Sequence, residues 1–445
     1  MATQPHAEHP AGAPAATGHV RPKGRNLRWT VIAVITLLAI TNYIDRGNLS
    51  VAISSINTDL GIGPAADGII LSAFVWPYAV MNLPSGWAVD RFGARIMMIV
   101  AVGAWSIVSM ITGLMRTMTG FVVLRVLLGT SEAPMFPAAV KAADAWFRRS
   151  EKGTAISIFI AGTQVGLAIA GPLSTALMLA FGWPAMFVIT GAIGLVVLTG
   201  WIVLYREPEI HRRLSAEEFA YIRADRAGRA PAPGDRRREV TGRAWLALFR
   251  HRTTWAMVVG NFALQYLFWF YITWLPGYLE KAQHFTIGTA GFLSALPYIA
   301  GTVGVLAGGR ISDILVKRGG NRLDARRHTI ALGAVLTGVV LLITAFSAGA
   351  GLAVVLLTIG MFTYSLSSAP IWTLATDVVE SPRYVGSIGS IQNFGGFLGG
   401  ACAPIVTGFA VASFGGFGIA LTITGVLALI SAGMYALVLR EQLPY

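Results

Sequence analysis

The chain has 445 residues, of which 55% are hydrophobic and only 12% charged. A soluble domain carries about 25% charged residues, so with a mean hydropathy of +0.64 most of this chain must be solvated by lipid rather than water. The single cysteine, Cys402, excludes an intrachain disulfide framework or a multi-cysteine metal site.

Residues 1–27 are polar and Pro/His-dotted and read as a disordered tail. No apolar core starts near Met1, so they are not a cleaved signal peptide. Apolar runs then recur near 29–56, 66–88, 96–115, 119–143, 153–178 and 184–205, and again near 254–279, 287–310, 328–347, 351–376, 384–412 and 416–439. Twelve spans of about 20–25 residues need about 240–300 residues, which the length accommodates. Each must be helical, because hydrocarbon offers the backbone no other hydrogen-bond partners. The longest polar stretch, 206–252, is Arg-rich and carries Pro231 and Pro233. It reads as a solvated basic linker with an amphipathic helix around Ala216–Arg226. It divides a six-helix bundle, 28–205, from a second, 253–440, which a short tail, 441–445, follows.

Lys/Arg placement sets the expected orientation. With both ends cytoplasmic, 30 of the 34 Lys/Arg fall inside; Arg116 and Lys281 fall outside, and Arg46 and Arg125 lie within spans. The net charge of +13 is therefore a topology signal and a contact with anionic lipid, not a nucleic-acid footprint. The two halves also echo each other. Gly86-Trp-Ala-Val-Asp90 matches Gly309-Arg-Ile-Ser-Asp313, and Gly162, Gly166 and Gly171-Pro172 of span five are echoed by Gly395, Gly396, Gly399, Gly400 and Pro404 of span eleven. The expected fold is an all-α membrane protein of twelve transmembrane helices in two pseudo-symmetric six-helix bundles. Such repeats often form transporters with the site at their interface near the bilayer midplane.

Four ionisable side chains lie deep in spans: Asp45, Arg46, Arg125 and Glu132, all in the first half. Each costs about 2.5–3.5 kcal/mol to insert at mid-helix, which makes function the default explanation. No histidine falls mid-span. Arg125 and Glu132 are seven residues apart on one helix face, about 10 Å along the axis, too far for easy direct pairing. Asp45 and Arg46 point about 100° apart, so one can face a cavity while the other faces a neighbouring helix. Arg presents a permanent planar fork that matches a carboxylate, whereas a carboxylic acid in a low-dielectric site can take up and release a proton. Arg46 and Arg125 are thus candidates to attract an anion, and Asp45 and Glu132 to carry protons. The competing reading is two structural ion pairs locking span one to span four.

The second half offers neutral groups instead: Gln265, Tyr266, Tyr271, Tyr364, Ser367, Ser368, Trp372, Gln392 and Asn393. Such groups suit a hydroxyl-rich ligand, and each could equally serve helix packing. Tyr43, Tyr78 and Gln164 are similar candidates in the first half. The segment Gly86–Arg95 places Asp90, Arg91 and Arg95 at the cytoplasmic edge, with Gly86 and Gly93 allowing a tight turn. It reads as a charge latch, with Asp313 its counterpart in the repeat, or alternatively as positive-inside anchoring.

The six-plus-six repeat and the GWAVDRFGAR loop resemble the major facilitator superfamily. Asn42-Tyr43-Ile44-Asp45-Arg46, the run from Arg125 through Gly129 and Glu132 to Pro137, and Phe181-Gly182-Trp183 resemble its anion:cation symporter family. The resemblance covers roughly residues 28–440 of the chain. That family includes bacterial galactonate, glucarate, hexuronate and phthalate carriers and animal sialic-acid and vesicular glutamate carriers. The resemblance implies protonation at Asp45 and Glu132, a substrate carboxylate on Arg46, and coupling through Arg125. It implies a substrate cavity lined by Tyr43, Tyr78, Gln164, Trp372 and Asn393, with Ser368 a further candidate.

The function expected is import of an organic acid anion, foremost a sugar acid such as galactonate, glucarate or a hexuronate, by proton symport with alternating access. Alternatives are a carrier of aromatic carboxylates such as phthalate or hydroxybenzoate, a proton-driven exporter, and a membrane sensor that binds without transport. No metal-ligand cluster, Ser/His/Asp constellation or phosphate-binding glycine loop points to an enzyme. No cofactor and no nucleic-acid partner are expected. The protein is expected to be a monomer in a bacterial inner membrane.

Overall fold

The computed structural model describes residues 26–223, 242–318, 321–347, 349–379 and 384–444. Most of the expected N-terminal tail and the part of the linker holding Pro231 and Pro233 lie outside these residues. Among the described residues, eleven helices are long and apolar enough to cross a membrane. One of them, Thr154–Leu204, holds two spans, because Gly182 (φ 79°, ψ 160°) breaks the helix, a conformation that only glycine adopts cheaply. Twelve spans result.

Span 1 is Leu27–Leu60, capped by the left-handed Gly61. Spans 2 and 3 occupy 64–92 and 94–112, separated at Gly93 (φ 84°, ψ 156°). Span 4 is Met118–Trp146, interrupted after Glu132 and resumed at Met135. Spans 5 and 6 occupy 149–181 and 183–204. Span 7 is Arg252–Lys281, span 8 runs over 287–317, and span 9 is Arg322–Phe346. Spans 10, 11 and 12 are Ala350–Val378, Val385–Phe414 and Gly418–Val438. Most helices outrun the apolar segments by a few residues. Span 9 starts six residues before its apolar run because Asn321 caps it, its side chain accepting from the Leu323 amide.

The repeat is visible in the packing. Span 5 lies on span 1, and span 11 on span 7. A Cβ at Gly166 would stand 2.7 Å from the Ile40 carbonyl, and one at Gly395 would stand 2.5 Å from that of Val258. The glycines of spans five and eleven thus allow the close contact anticipated from sequence. Each half also carries a strap. The short helix Ala216–Arg223 docks on the first half, where Glu218 accepts from the Leu27 amide (3.1 Å), the Arg28 amide (3.2 Å) and Arg28 Nη1 (3.1 Å). Glu218 is 2% exposed. Among the described linker charges, Glu218 alone departs from the expected solvated linker by being buried, because Arg28 and the free amides at the start of span 1 supply the partners that water would otherwise give. Arg206, Glu209, Arg212, Arg213, Glu217 and Arg223 are exposed. On the second half, the Leu443 amide donates to the Val378 carbonyl at 2.7 Å, and Arg252 pairs with Glu441 at 2.6 Å.

The two halves meet at the end remote from the linker. Span 2 packs on span 11, and span 5 on span 8. Ser72 Oγ donates to the Ala401 carbonyl at 2.7 Å. A Cβ on Gly68 would stand 2.5 Å from the Pro404 carbonyl, and one on Gly408 would stand 2.5 Å from that of Pro64, so backbones touch across this seam.

Candidate functional site

The four deep charges converge in the first half, and among the described residues Arg125 and Glu132 form no direct pair, as their separation along span 4 predicts. Arg46 Nε donates to Glu132 Oε2 at 2.9 Å. Glu132 is fully buried and ends the first segment of span 4, where Pro134 precedes the restart at Met135. The guanidinium of Arg46 lies 4.6 Å from the ring of Tyr43, 5.1 Å from Phe74 and 4.7 Å from Tyr78. Such contacts are worth about 2 kcal/mol when desolvated. Its Nη2 is buried and has no hydrogen-bond partner. At 8% exposure it is the most accessible of the four; Arg125 is 4%, Asp45 1% and Glu132 0% exposed.

Asp45 turns the other way, as the 100° between neighbours requires. Its Oδ1 accepts from Ser109 of span 3 at 3.0 Å and from Asn48 at 3.3 Å, and Asn48 also donates to Thr190 of span 6 at 3.3 Å. Its Oδ2 has no partner. Arg125 forms no salt bridge among the described residues, and its buried Nε is likewise unpartnered. Two carboxylates and two guanidiniums therefore share one bundle, with a single direct ion pair and spare capacity on each side. That pair ties span 1 to span 4, which is one of the two structural ion pairs that the competing reading expects.

An aromatic layer joins the cluster to the second half. Phe74 lies 5.9 Å from Trp269, and Tyr78 makes an edge contact with Phe397 at 5.6 Å. Beyond it, Tyr364 donates to Gln265 Oε1 at 3.2 Å and stacks on Phe268 at 5.8 Å. Other neutral candidates serve packing: Tyr271 donates to the Leu357 carbonyl, Ser367 to that of Ile330, and Gln392 accepts from Asn261 through its backbone. Gln164, Ser368 and Asn393 are half-buried, and Gln164 Oε1 lacks a partner. Trp372 is 63% exposed and makes no ring contact among the described residues.

The Gly86–Arg95 segment is bound into the first half. Lys141 donates to the Val89 and Asp90 carbonyls and to Asp90 Oδ1 (3.1 Å). Arg95 donates to the carbonyls of Tyr205 and Ile202, both at 3.1 Å. Arg91 lies over Trp87 and Phe92. Gly93 makes the turn alone, and Gly86 is helical. The side chain of Asp313 lies outside the described residues.

Sequence reasoning missed Phe74, whose place beside Arg46 depends on how span 2 rotates. It also missed Asp67, fully buried at the start of span 2, and Asp59, which accepts from Trp183 Nε1 at 2.7 Å. Both acids sit at span ends, where a carboxylate reads as solvated. Asp67 lies one residue inside the apolar run beginning at 66, and that was the available signal.

Comparison with known proteins agrees with this architecture. The Major Facilitator Superfamily model matches residues 35–404. The chain is 34% identical over 419 residues to the "Probable L-galactonate transporter" of Escherichia coli (strain K12), covering 94% of this chain and 91% of that one. It is 31% identical over 417 residues to the D-galactonate transporter of Escherichia coli O6:H1, covering 93% and 96%. In fold it matches a bacterial homologue of the lysosomal transporter Spinster, solved inward-facing and unoccupied, with a TM-score of 0.78 at 18% identity, covering 94% and 98%. The chain thus belongs to the Major Facilitator Superfamily, within the anion:cation symporter family that holds the galactonate, glucarate and hexuronate transporters.

Proposed function

We propose that the protein imports a sugar-acid anion by proton symport, with alternating access between its two six-helix halves. The observation that carries this reading is the buried Arg46–Glu132 pair with Arg46 Nη2 left open inside a ring of aromatic faces. A substrate carboxylate and Glu132 compete for one guanidinium. Protonation of Glu132 frees Arg46, and an arriving anion takes its place. Proton loss on the far side lets Glu132 recover Arg46 and expel the anion. Binding of proton and anion then favour each other by the same free energy. Asp45, held by Ser109 and Asn48, is the second proton carrier, and Arg125 biases both acids. Tyr43, Tyr78, Gln164, Ser368, Trp372 and Asn393 line the substrate path in this reading. Gly86, Asp90, Arg91, Arg95 and Asp313 form the inner gate.

In this reading both termini are cytoplasmic in a bacterial inner membrane, the bundles are 28–205 and 253–440, and the protein acts as a monomer. The sealed seam then faces outward. A sugar acid is favoured because the relatives' names point there, and because a second half of amides and hydroxyls suits a polyol chain. One proton with a monoanion moves no net charge; a second adds about 2.3 kcal/mol per 100 mV of membrane potential.

The test is D-galactonate uptake into proteoliposomes with an imposed pH gradient and potential. Accumulation should require the gradient; equal accumulation without it refutes proton coupling. Transport that survives Arg46→Ala would favour an exporter of amphipathic compounds instead.

A further inference from the structure

The seam between the halves holds a charge that the mechanism above does not use. Asp67 stands in the first turn of span 2 and is 0% exposed. Its Oδ2 accepts from Asn57 Nδ2 at 2.8 Å and lies 3.7 Å from Lys281 Nζ. Asn57 and Asp67 belong to the first half, and Lys281 ends span 7 in the second. The Asp67 side chain is fully buried while that of Lys281 is 34% exposed. Asp67 Oδ1 has no hydrogen-bond partner. Around the pair lie the Ser72–Ala401 bond and the contacts of Gly68 with Pro404 and of Gly408 with Pro64.

We propose that Asp67 and Lys281 form the latch of the seam, a cross-half ion pair that this end must reassemble each time it closes, because Asp67 can be buried there only with its partner in place. The proposal rests on the alternating-access reading and deepens it. Alternating access requires these surfaces to part, and parting hydrates both charges. A buried pair adds little net stability, because its desolvation offsets its attraction, but a buried charge that loses its partner is strongly destabilising. The latch is therefore selective rather than strong. Closed and paired, or open and hydrated, are both acceptable; closed and unpaired is not.

The two partners are unequal. Removing the lysine leaves Asp67 in a dry interface with only Asn57. Removing the aspartate leaves Lys281 with water to turn to. Lys281→Met must therefore open the seam more than Asp67→Asn. The double variant buries no unpaired carboxylate and must close again, a non-additivity that separate packing defects do not produce.

The experiment uses the full-length protein purified in detergent. Ala401, 1% exposed at the seam, becomes Cys in a Cys402→Ser background, and the rate of its reaction with a bulky polar maleimide reports opening. Lys281→Met should raise the rate about tenfold or more, Asp67→Asn by less, and the double variant should return towards the parent. A parent-like rate in Lys281→Met, or a double variant that opens as far as the two singles combined, overturns the latch. Thermal melting of each variant separates seam opening from global unfolding. No substrate enters this assay. If D-galactonate accumulation fails while the labelling pattern holds, the substrate reading falls and the latch stands.

Discussion

The halves repeat one packing scheme and fill it with opposite chemistry. A glycine of span 5 meets Ile40 as a glycine of span 11 meets Phe262, and Thr36 and Val258 hold the equivalent places one turn earlier. Both pairs are 222 residues apart. The same register sets Phe268 where Arg46 stands. In the first half that position holds a cation gripped by Glu132 and three rings; in the second it holds a ring stacked on Tyr364. One scaffold thus carries buried charge at this position in one half and stacked rings at the equivalent position in the other. In the proposed mechanism, keeping both acids in one half lets a proton change Arg46 without first moving the other bundle.

The sharpest way to break this comparison is Glu132→Gln, which should abolish gradient-driven accumulation of D-galactonate while exchange across proteoliposomes continues. Normal accumulation would remove Glu132 from coupling and with it the division between halves. Arg46→Ala comes next. It leaves Glu132 fully buried without its partner, a loss of about 3–5 kcal/mol, read as a fall in melting temperature together with loss of uptake. Ser109→Ala removes a hydrogen bond to a carboxylate, worth about 2 kcal/mol, and should shift the pH profile of uptake more than the apparent affinity at saturating proton. An effect on affinity alone would make Asp45 a substrate group instead. The smallest effect belongs to the second half. Tyr364→Phe breaks one neutral hydrogen bond and should weaken uptake about threefold through KM; a larger loss with altered pH dependence would put coupling in both halves.

The sequence made the spans legible because lipid imposes a length and an apolarity that no other constraint imitates. It made the deep charges legible for the same reason: Asp45, Arg46, Arg125 and Glu132 are conspicuous in oil. That span 1 and span 4 are tied by an ion pair was legible as one of two readings. That Glu132 takes Arg46 while Asp45 and Arg125 stay out of a salt bridge among the described residues was not, because it depends on how span 1 lies against span 4. Charges at span ends and in the linker were read as solvated, a rule that fails when a neighbour covers them. Asp67 at a span end is covered by the other half, and Glu218 in the linker by the start of span 1. Tyr271 and Ser367 have the chemistry of ligand contacts and instead cap carbonyls of adjacent helices, a choice set by rotation about the helix axis.

The straps at the linker and the C-terminus carry a consequence for how the polypeptide could be divided. Glu218 and Arg28 fasten the early linker to the first bundle, whereas Leu443 and Glu441 fasten the tail to the second. A nick between Arg223 and Gly242 would leave each fragment with its own fastening and its own six helices. Two co-expressed pieces should therefore find one another in the bilayer and restore uptake.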